Sequence, residues 1–165
     1  MESLASTTTL DNALCAAALS YAARGWAVFP LHSPSANGGC SCGNVACPSP
    51  GKHPRTEHGF HDATTDVGII EDWWNRWPDA NIGIATGQGS GFVVVDVDGP
   101  AGAASIEQQG GLPLTVQVQT GKGTHYYFRY PGNHVPSRVG ILRRVDIRAD
   151  GGYVVAPPSL HASGQ

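Results

Sequence analysis

The stretch Phe92-Val93-Val94-Val95-Asp96-Val97-Asp98-Gly99 decides how the fold is interpreted. Its run of apolar, largely β-branched residues predicts a buried strand. Side chains alternate along a strand, so Asp96 and Asp98 project from the same face at its end. Gly99 and Pro100 then end the strand.

Two carboxylates on one face repel each other unless a cation lies between them. Mg²⁺ and Mn²⁺ prefer such oxygen ligands, and phosphates commonly complete their coordination. The alternative is an acidic turn at a strand end, in which each carboxylate is solvated or caps a backbone N–H. Taken alone, Asp96 and Asp98 leave both interpretations open.

The composition is that of a folded chain. It has 165 residues, of which 41% are hydrophobic and 14% charged, enough for one domain with its own core. We expect this domain over residues 10–165, behind a disordered leader of residues 1–9. No apolar run is long enough to span a membrane and no secretory signal is evident, so a cytoplasmic protein is expected.

The charge limits the kinds of partner. A net charge of −3 argues against a large sequence-independent DNA-binding surface. A local basic groove is still compatible with the sequence, because arginines cluster late in the chain. They are Arg138, Arg143, Arg144 and Arg148.

Residues 32–63 show no periodicity but hold a cluster of metal-ligand types. The candidates are Cys40, Cys42, Cys47 and His53, in the pattern C-x-C-x4-C-x5-H. Three thiolates and an imidazole match a structural zinc site, which would hold together an insertion of this length. Disulfides are the alternative, but they are disfavoured in the cytosol and C-x-C is too short for an easy bridge. His58 and His61 compete for the fourth ligand position, and spacing favours His53.

The N-terminal half predicts two helices and a short strand. Thr9 is expected to cap a helix over residues 10–24. A strand over residues 26–29 follows, and Pro30 is expected to end it. In a second helix over residues 66–77 the tryptophans repeat at helical spacing, which favours a core-facing stripe over a platform for stacking bases.

The remaining pattern is that of sheets. Residues 81–87 predict a strand, and the glycine-rich residues 87–91 are expected to connect it as a hairpin to the strand of Asp96. Beyond these we expect a helix over residues 101–109, strands over 114–120, 125–130, 145–148 and 153–156, and a loop over 131–143.

Three downstream residues suit phosphate chemistry. Lys122 lies in a Gly-Lys-Gly turn, whose amides and ammonium suit a phosphate. His125 begins the next strand, where an ordinary hydrogen-bonded histidine and a phosphate contact are both compatible with the sequence. Asp146 supplies a third carboxylate. Two metal ions held by three acids suit in-line phosphoryl or nucleotidyl transfer.

An ordered set of short motifs carries a family resemblance. They are YAARGWAVFPL at residues 21–31, GKHPR at 51–55, HGFHDATTD at 58–66, WW at 73–74, NIGIATG at 81–87 and VDIRADGGYVVAPPS at 145–159. In this order they resemble the N-terminal bifunctional primase–polymerase (prim-pol) domain of phage, plasmid and bacterial replication proteins, within the archaeo-eukaryotic primase superfamily. The resemblance covers about residues 10–165.

This resemblance implies an α+β fold, in which an RRM-like catalytic antiparallel or mixed sheet packs on a smaller α/β unit and a zinc-binding loop is inserted at about residues 32–63. It implies synthesis of primers and DNA from ribo- or deoxynucleoside triphosphates on a DNA template, with Mg²⁺ or Mn²⁺. It further implies a bacterial cytoplasm, with a phage or plasmid as possible source. The chain would then be a fragment of a longer replication protein with a C-terminal helicase domain.

The resemblance also assigns residues. The family's acid-x-acid motif matches Asp96 and Asp98, and its later acidic motif matches Asp146. Its histidine before an aromatic strand matches His125, which implies a contact to the phosphates of the incoming nucleotide. Further implied nucleotide contacts are Lys122, Arg148 and Ser159, and the implied zinc ligands are Cys40, Cys42, Cys47 and His53. The serine that often precedes this histidine by two residues is replaced here by Gly123.

Two other hypotheses compete with a nucleotidyltransferase. In a non-catalytic zinc-containing nucleic-acid-binding module, Arg143 and Arg144 would grip the template and the acids would have no catalytic role. In a metal-dependent nuclease, the paired carboxylates would serve phosphodiester hydrolysis instead of synthesis.

Overall fold

The computed structural model describes residues 12–36 and 38–163, which form two antiparallel sheets and three α-helices. The helices are α1 (Ala13–Ala22), α2 (Val67–Arg76) and α3 (Gly99–Gln108), with a short 3-10 helix at Gly59–Asp62. The strands are β1 (Val28–Leu31), β2 (Asn81–Ala85), β3 (Phe92–Asp98), β4 (Val116–Gln119), β5 (Gly123–Arg129), β6 (Arg138–Leu142), β7 (Val145–Arg148) and β8 (Tyr153–Ala156). The expected α+β class is confirmed at this level.

The larger sheet has β3 at its centre. Its five strands lie in the order β4-β5-β3-β7-β6, and all neighbours are antiparallel. In this register Asp96 of β3 is opposite His125 of β5 on one side and Asp146 of β7 on the other. Strand pairing therefore brings together three residues that are far apart in the sequence.

The smaller sheet has the order β1-β2-β8 and encloses the core together with α1 and α2. Phe92 and Val94 of β3 are buried in this core, against residues such as Ile82 of β2. Side chains alternate along a strand, so Asp96 and Asp98 continue the same face of β3 beyond the core. On the opposite face, α3 approaches β3 so closely that a Cβ at Gly102 would lie 3.0 Å from Val97.

Both long N-terminal helices begin at a capping side chain. Asn12 accepts hydrogen bonds from the N–H groups of Leu14 and Cys15 and caps α1. The expected cap Thr9 and the leader of residues 1–9 lie outside the described residues. Asp66, where the second helix is predicted to start, caps α2. The core-facing stripe is confirmed in Ile70 and Trp74, which are buried, whereas Ile69 is exposed. Among the described residues, no helix has the length and apolar content to cross a membrane.

One predicted strand end and one predicted hairpin are wrong, each for a physical reason. Pro30 lies within β1 instead of ending it, because β1 is an edge strand and can accommodate a residue without an N–H. Residues 87–91 do not join β2 to β3 as a hairpin, because β2 pairs with β1 and β8, and only an isolated antiparallel bridge links Gly87 to Phe92. The turn instead passes the chain from one sheet to the other, and Asp150 accepts the N–H of Gln88 at 2.9 Å.

The predicted loop over residues 131–143 is also wrong, since it contains β6. This strand lies at the sheet edge with an irregular register and mostly exposed side chains, so the alternation of buried and exposed residues that marks a strand is weak. The other elements are confirmed, with shifted ends; β5, for example, begins at Gly123 and α3 at Gly99.

Gly83 provides a test of how tightly the smaller sheet packs. A Cβ at this position would lie 2.6 Å from the ring of Phe29, which is fully buried and packs edge-on against Tyr153. We expect Gly83→Ala to lower the free energy of unfolding in urea by about 1–3 kcal/mol, because the ring has no room to move. Gly89→Ala is the matched control, since a Cβ there meets no atom within 4 Å. Equal stability of the two variants would contradict this packing.

Candidate active site

A row of three polar side chains crosses the centre of the larger sheet. Asp96 lies between His125 and Asp146 in the strand register, and directly opposite residues on paired strands face the same way. The Nε2 atom of His125 is 3.5 Å from Oδ1 of Asp96. Asp98 lies on the same face, one pleat further along β3.

This row lines a cavity of about 1090 Å³ that residues of both sheets enclose. Its walls also include β8 of the smaller sheet. All the residues that the sequence predicts for catalysis and nucleotide contact line it: Asp96, Asp98, Lys122, His125, Asp146, Arg148 and Ser159. The structure therefore brings these predicted residues together in one cavity.

The row carries a surplus of negative charge. Burial raises the pKa of Asp96 to about 6, and the neighbouring carboxylates of Asp98 and Asp146 add to the increase. The positive charge of Arg148 opposes this shift. The ionised form of Asp96 is thus held at a cost that a further cation would relieve.

Arg148 lies between two of the acids, Asp96 and Asp146. Its guanidinium donates a hydrogen bond to Oδ2 of Asp146 at 2.7 Å and lies 3.8 Å from Oδ2 of Asp96. The other carboxylate oxygen of Asp146 accepts the N–H of Gly140 at 2.8 Å. The guanidinium of Arg148 is therefore paired with carboxylates of the row, and its contact to a nucleotide stays a prediction.

His125 is buried with only 8% of its surface exposed, and its Nδ1 has no hydrogen-bond partner among the described residues. Burial lowers its pKa to about 4, and the charges of Arg148 and Lys52 lower it further. The imidazole is thus neutral at neutral pH and can donate one hydrogen bond.

Contacts within the fold account for Ser159 and for the glycine at position 123, both near the row. The hydroxyl of Ser159 accepts the N–H of Ile82 at 2.8 Å, so it ties the segment after β8 to β2, and its nucleotide contact stays a prediction. Gly123 pairs with Asp98, and a Cβ there would collide with the carbonyl oxygen of Val97. The local strand pairing therefore excludes the serine that often occupies this position.

The predicted zinc ligands lie together outside the row. The donor atoms of Cys40, Cys42, Cys47 and His53 all lie within 4.8 Å of one another. The Nε2 of His53 is 3.4 Å from Sγ of Cys40 and 3.5 Å from Sγ of Cys47. Tetrahedral zinc with its usual bond lengths separates such atoms by about 3.5–3.8 Å, so the residues fit this ion.

The surroundings of the cluster support metal binding over disulfide formation. All three of its cysteines are free. Burial raises the pKa of Cys40, but hydrogen bonds from the Cys42 and Gly51 backbones and from His53 outweigh it and lower the pKa to about 6. The thiolate form of Cys40 is therefore favoured, whereas burial and the neighbouring Cys40 and Cys42 raise the pKa of Cys47.

The competing histidines have other partners. His58 pairs with Asp62 at 3.0 Å, and the ring of His61 packs against Phe60. Neither of them belongs to the cluster formed with His53.

Lys52 is a cavity residue to which the sequence analysis gave no role. It immediately precedes His53 and lines the same cavity as the acidic row. Burial lowers its pKa, as does the charge of Lys122, whereas Asp96 and Asp98 oppose the shift. Two signals could have found it: the GKHPR motif that contains it, and the fact that the chain has only two lysines, Lys52 and Lys122.

Comparison with known proteins identifies the family of the chain. Over residues 18–165 the chain matches the family described as bifunctional DNA primase/polymerase, N-terminal. The chain belongs to this prim-pol family, as the motif resemblance predicts. Membership places it among nucleotidyltransferase-type enzymes of DNA priming and polymerisation, which bind DNA and nucleotides. No protein with a curated description and no solved structure shows significant similarity to it.

Asp96→Asn tests the electrostatic cost of the row. The pKa of Asp96 is about 6 in the folded protein against an ordinary 3.8, so its ionisation destabilises the fold increasingly as the pH rises from about 4 to about 6. In buffer without divalent cations we expect the variant to be more stable than the natural protein by about 2–3 kcal/mol at pH 7.5, and no more stable near pH 4. Thermal melts at both pH values measure this.

Asp72→Asn, an exposed change on α2, is the control for Asp96→Asn and should show no such pH-dependent gain. An equal gain in stability for Asp96→Asn at both pH values would show that ionisation of Asp96 does not destabilise the fold.

Proposed function

We propose that the chain starts primers on a DNA template and extends them by template-directed nucleotidyl transfer from nucleoside triphosphates. The observation that carries this proposal is the row of His125, Asp96 and Asp146, with Asp98 beside it in one cavity. The larger sheet would be the RRM-like catalytic sheet of the archaeo-eukaryotic primase superfamily. The smaller sheet with α1 and α2 would be its α/β unit. A helicase partner domain and a cytoplasmic location belong to the same proposal.

Asp96, Asp98 and Asp146 would hold two Mg²⁺ or Mn²⁺ ions. Carboxylate oxygens are the donors that such ions prefer, and the raised pKa of Asp96 reflects negative charge that divalent cations would neutralise. When bound, the ions supply Lewis-acid stabilisation for in-line displacement at phosphorus. We propose that Arg148, released from Asp146, then turns toward the phosphates of the nucleotide.

The chain's own residues would orient the triphosphate. The neutral imidazole of His125 donates a hydrogen bond to a phosphate oxygen, and the ammonium of Lys122 binds the same phosphate chain. The 3′ oxygen of the primer forms a bond to the α-phosphorus, and the bond to the pyrophosphate oxygen breaks. The hydroxyl proton passes to solvent, and pyrophosphate leaves.

The template would contact the outer strands. Arg138, Arg143 and Arg144 are exposed on β6 and the turn that follows it, where they are free to meet template phosphates. A cavity lined by both lysines and acids suits a triphosphate substrate. This supports a transferase over a nuclease.

Primer extension separates the three hypotheses. A labelled primer–template is incubated with deoxynucleoside triphosphates and Mn²⁺. We expect longer products from the natural protein and from Asp72→Asn, and rates at least about a hundredfold lower from Asp96→Asn and Asp146→Asn, because both acids hold the ions. Thermal melts establish that the variants are folded. An unchanged primer would favour the binding module, and shortened products would favour the nuclease.

Zinc content tests the proposed structural metal. We expect about one zinc ion per chain in the natural protein and in Cys15→Ser, because Cys15 lies in α1 away from the cluster. Cys40→Ser should lose the ion and melt at a lower temperature. Colorimetric titration of released zinc measures this. Equal zinc content in the two variants would contradict the assignment.

A further inference from the structure

Both lysines of the chain line the same cavity, although they come from different parts of the fold. Lys122 lies in the turn between β4 and β5, whereas Lys52 belongs to the zinc loop, by which we mean residues 32–63. Within residues 12–36 and 38–163 neither ammonium is paired with a carboxylate. Two unpaired ammonium groups in one cavity suit an anion.

The backbone around Lys52 is fixed to the smaller sheet and to its own loop. Four hydrogen bonds hold it: Asn81 Nδ2 to Gly51 O at 2.9 Å, Tyr153 Oη to Lys52 O at 2.9 Å, His32 N to His53 O at 2.8 Å, and Arg55 N to Pro30 O at 3.0 Å. The position from which the side chain of Lys52 enters the cavity is therefore set by hydrogen bonds, and only its flexible stem can adjust.

The residue next to Lys52 belongs to the candidate zinc cluster. His53 has its Nε2 beside the sulfurs of Cys40 and Cys47. On the other side of Lys52, Gly51 is packed so tightly that a Cβ would lie 2.8 Å from Pro34. Lys52 thus lies between a metal-ligand candidate and a closely packed glycine of the same loop.

We propose that Lys52 binds the triphosphate of the incoming nucleotide and that the zinc site positions it for this contact. The proposal rests on the proposed function, because it assigns a second cation to the same substrate. The acidic row takes the metal ions and the reacting phosphate. Lys52 and Lys122 then bind the remaining phosphate oxygens. The zinc site, which is proposed above as structural, thereby raises the affinity for the substrate.

Nucleotide affinity tests the contact directly. A fluorescent deoxynucleoside triphosphate is titrated with Ca²⁺ in place of the reactive cations. We expect Lys52→Gln to raise the dissociation constant roughly tenfold or more, since a hydrogen bond to a charged group is lost, and Lys52→Arg to restore part of the affinity. Arg76→Gln, exposed at the end of α2, is the matched control and should bind as the natural protein does. Unchanged affinity in Lys52→Gln overturns the proposal.

A cycle with zinc removal tests the positioning. Zinc-free natural protein should lose affinity by a similar factor, and zinc removal should cause little further loss in Lys52→Gln, because both changes remove one contact. Fully additive losses would show that zinc acts elsewhere and would overturn the positioning role. Circular dichroism establishes that the zinc-free protein is folded.

Acetylation footprinting keeps the proposal testable if zinc removal unfolds the chain. Because the chain has only two lysines, mass spectrometry reports each one separately in the zinc-loaded protein. Saturating triphosphate should protect both lysines. A Lys52 that reacts equally fast with and without nucleotide overturns the contact.

The outcomes distinguish this proposal from the proposed function. If the natural protein extends primers and Lys52→Gln shows an unchanged KM for the nucleotide, the inference about Lys52 fails alone. If triphosphate binds through Lys52 but no primer is extended, the nucleotidyl-transfer function fails and the binding role stands.

Discussion

The site depends on the antiparallel pairing of β3 with β5 and β7 at the same time. This pairing places Asp96 between His125 and Asp146, residues that the chain itself keeps far apart. The register is specified by the other half of β3, where Phe92 and Val94 are buried in the core. A shift of one residue would turn the acids away from the cavity and expose the apolar side chains, so core packing and site geometry are one constraint.

Placing these acids side by side in the row has an electrostatic cost to the stability of the fold. Burial and neighbouring carboxylates raise the pKa of Asp96, while Arg148 offsets only part of the charge. A fold selected for stability alone would not collect carboxylates on one partly buried face. Such local cost is typical of sites whose stabilising ligand arrives from outside, and divalent cations with a triphosphate would complete the charge balance here.

Features within one segment could be predicted from the sequence, and features of long-range placement could not. The strand that carries Asp96 and the start of a helix at Asp66 follow from local pattern and were predicted. The tolerance of Pro30 within β1 depends on which strand lies at an edge, which local sequence does not reveal. For the same reason Lys52 was missed: its entry into the cavity depends on hydrogen bonds to distant strands. The zinc cluster was recognised because its ligands are close in sequence.

The central claim is that the acids of the row hold the cations that bind the substrate triphosphate. Anomalous X-ray diffraction from crystals grown with Mn²⁺ and a non-hydrolysable deoxynucleoside triphosphate tests it most directly. The account predicts manganese peaks within bonding distance of Asp96, Asp98 and Asp146, with the triphosphate completing the coordination. Manganese bound elsewhere, or a nucleotide bound with Arg148 still paired to Asp146 and no metal in the row, would contradict it.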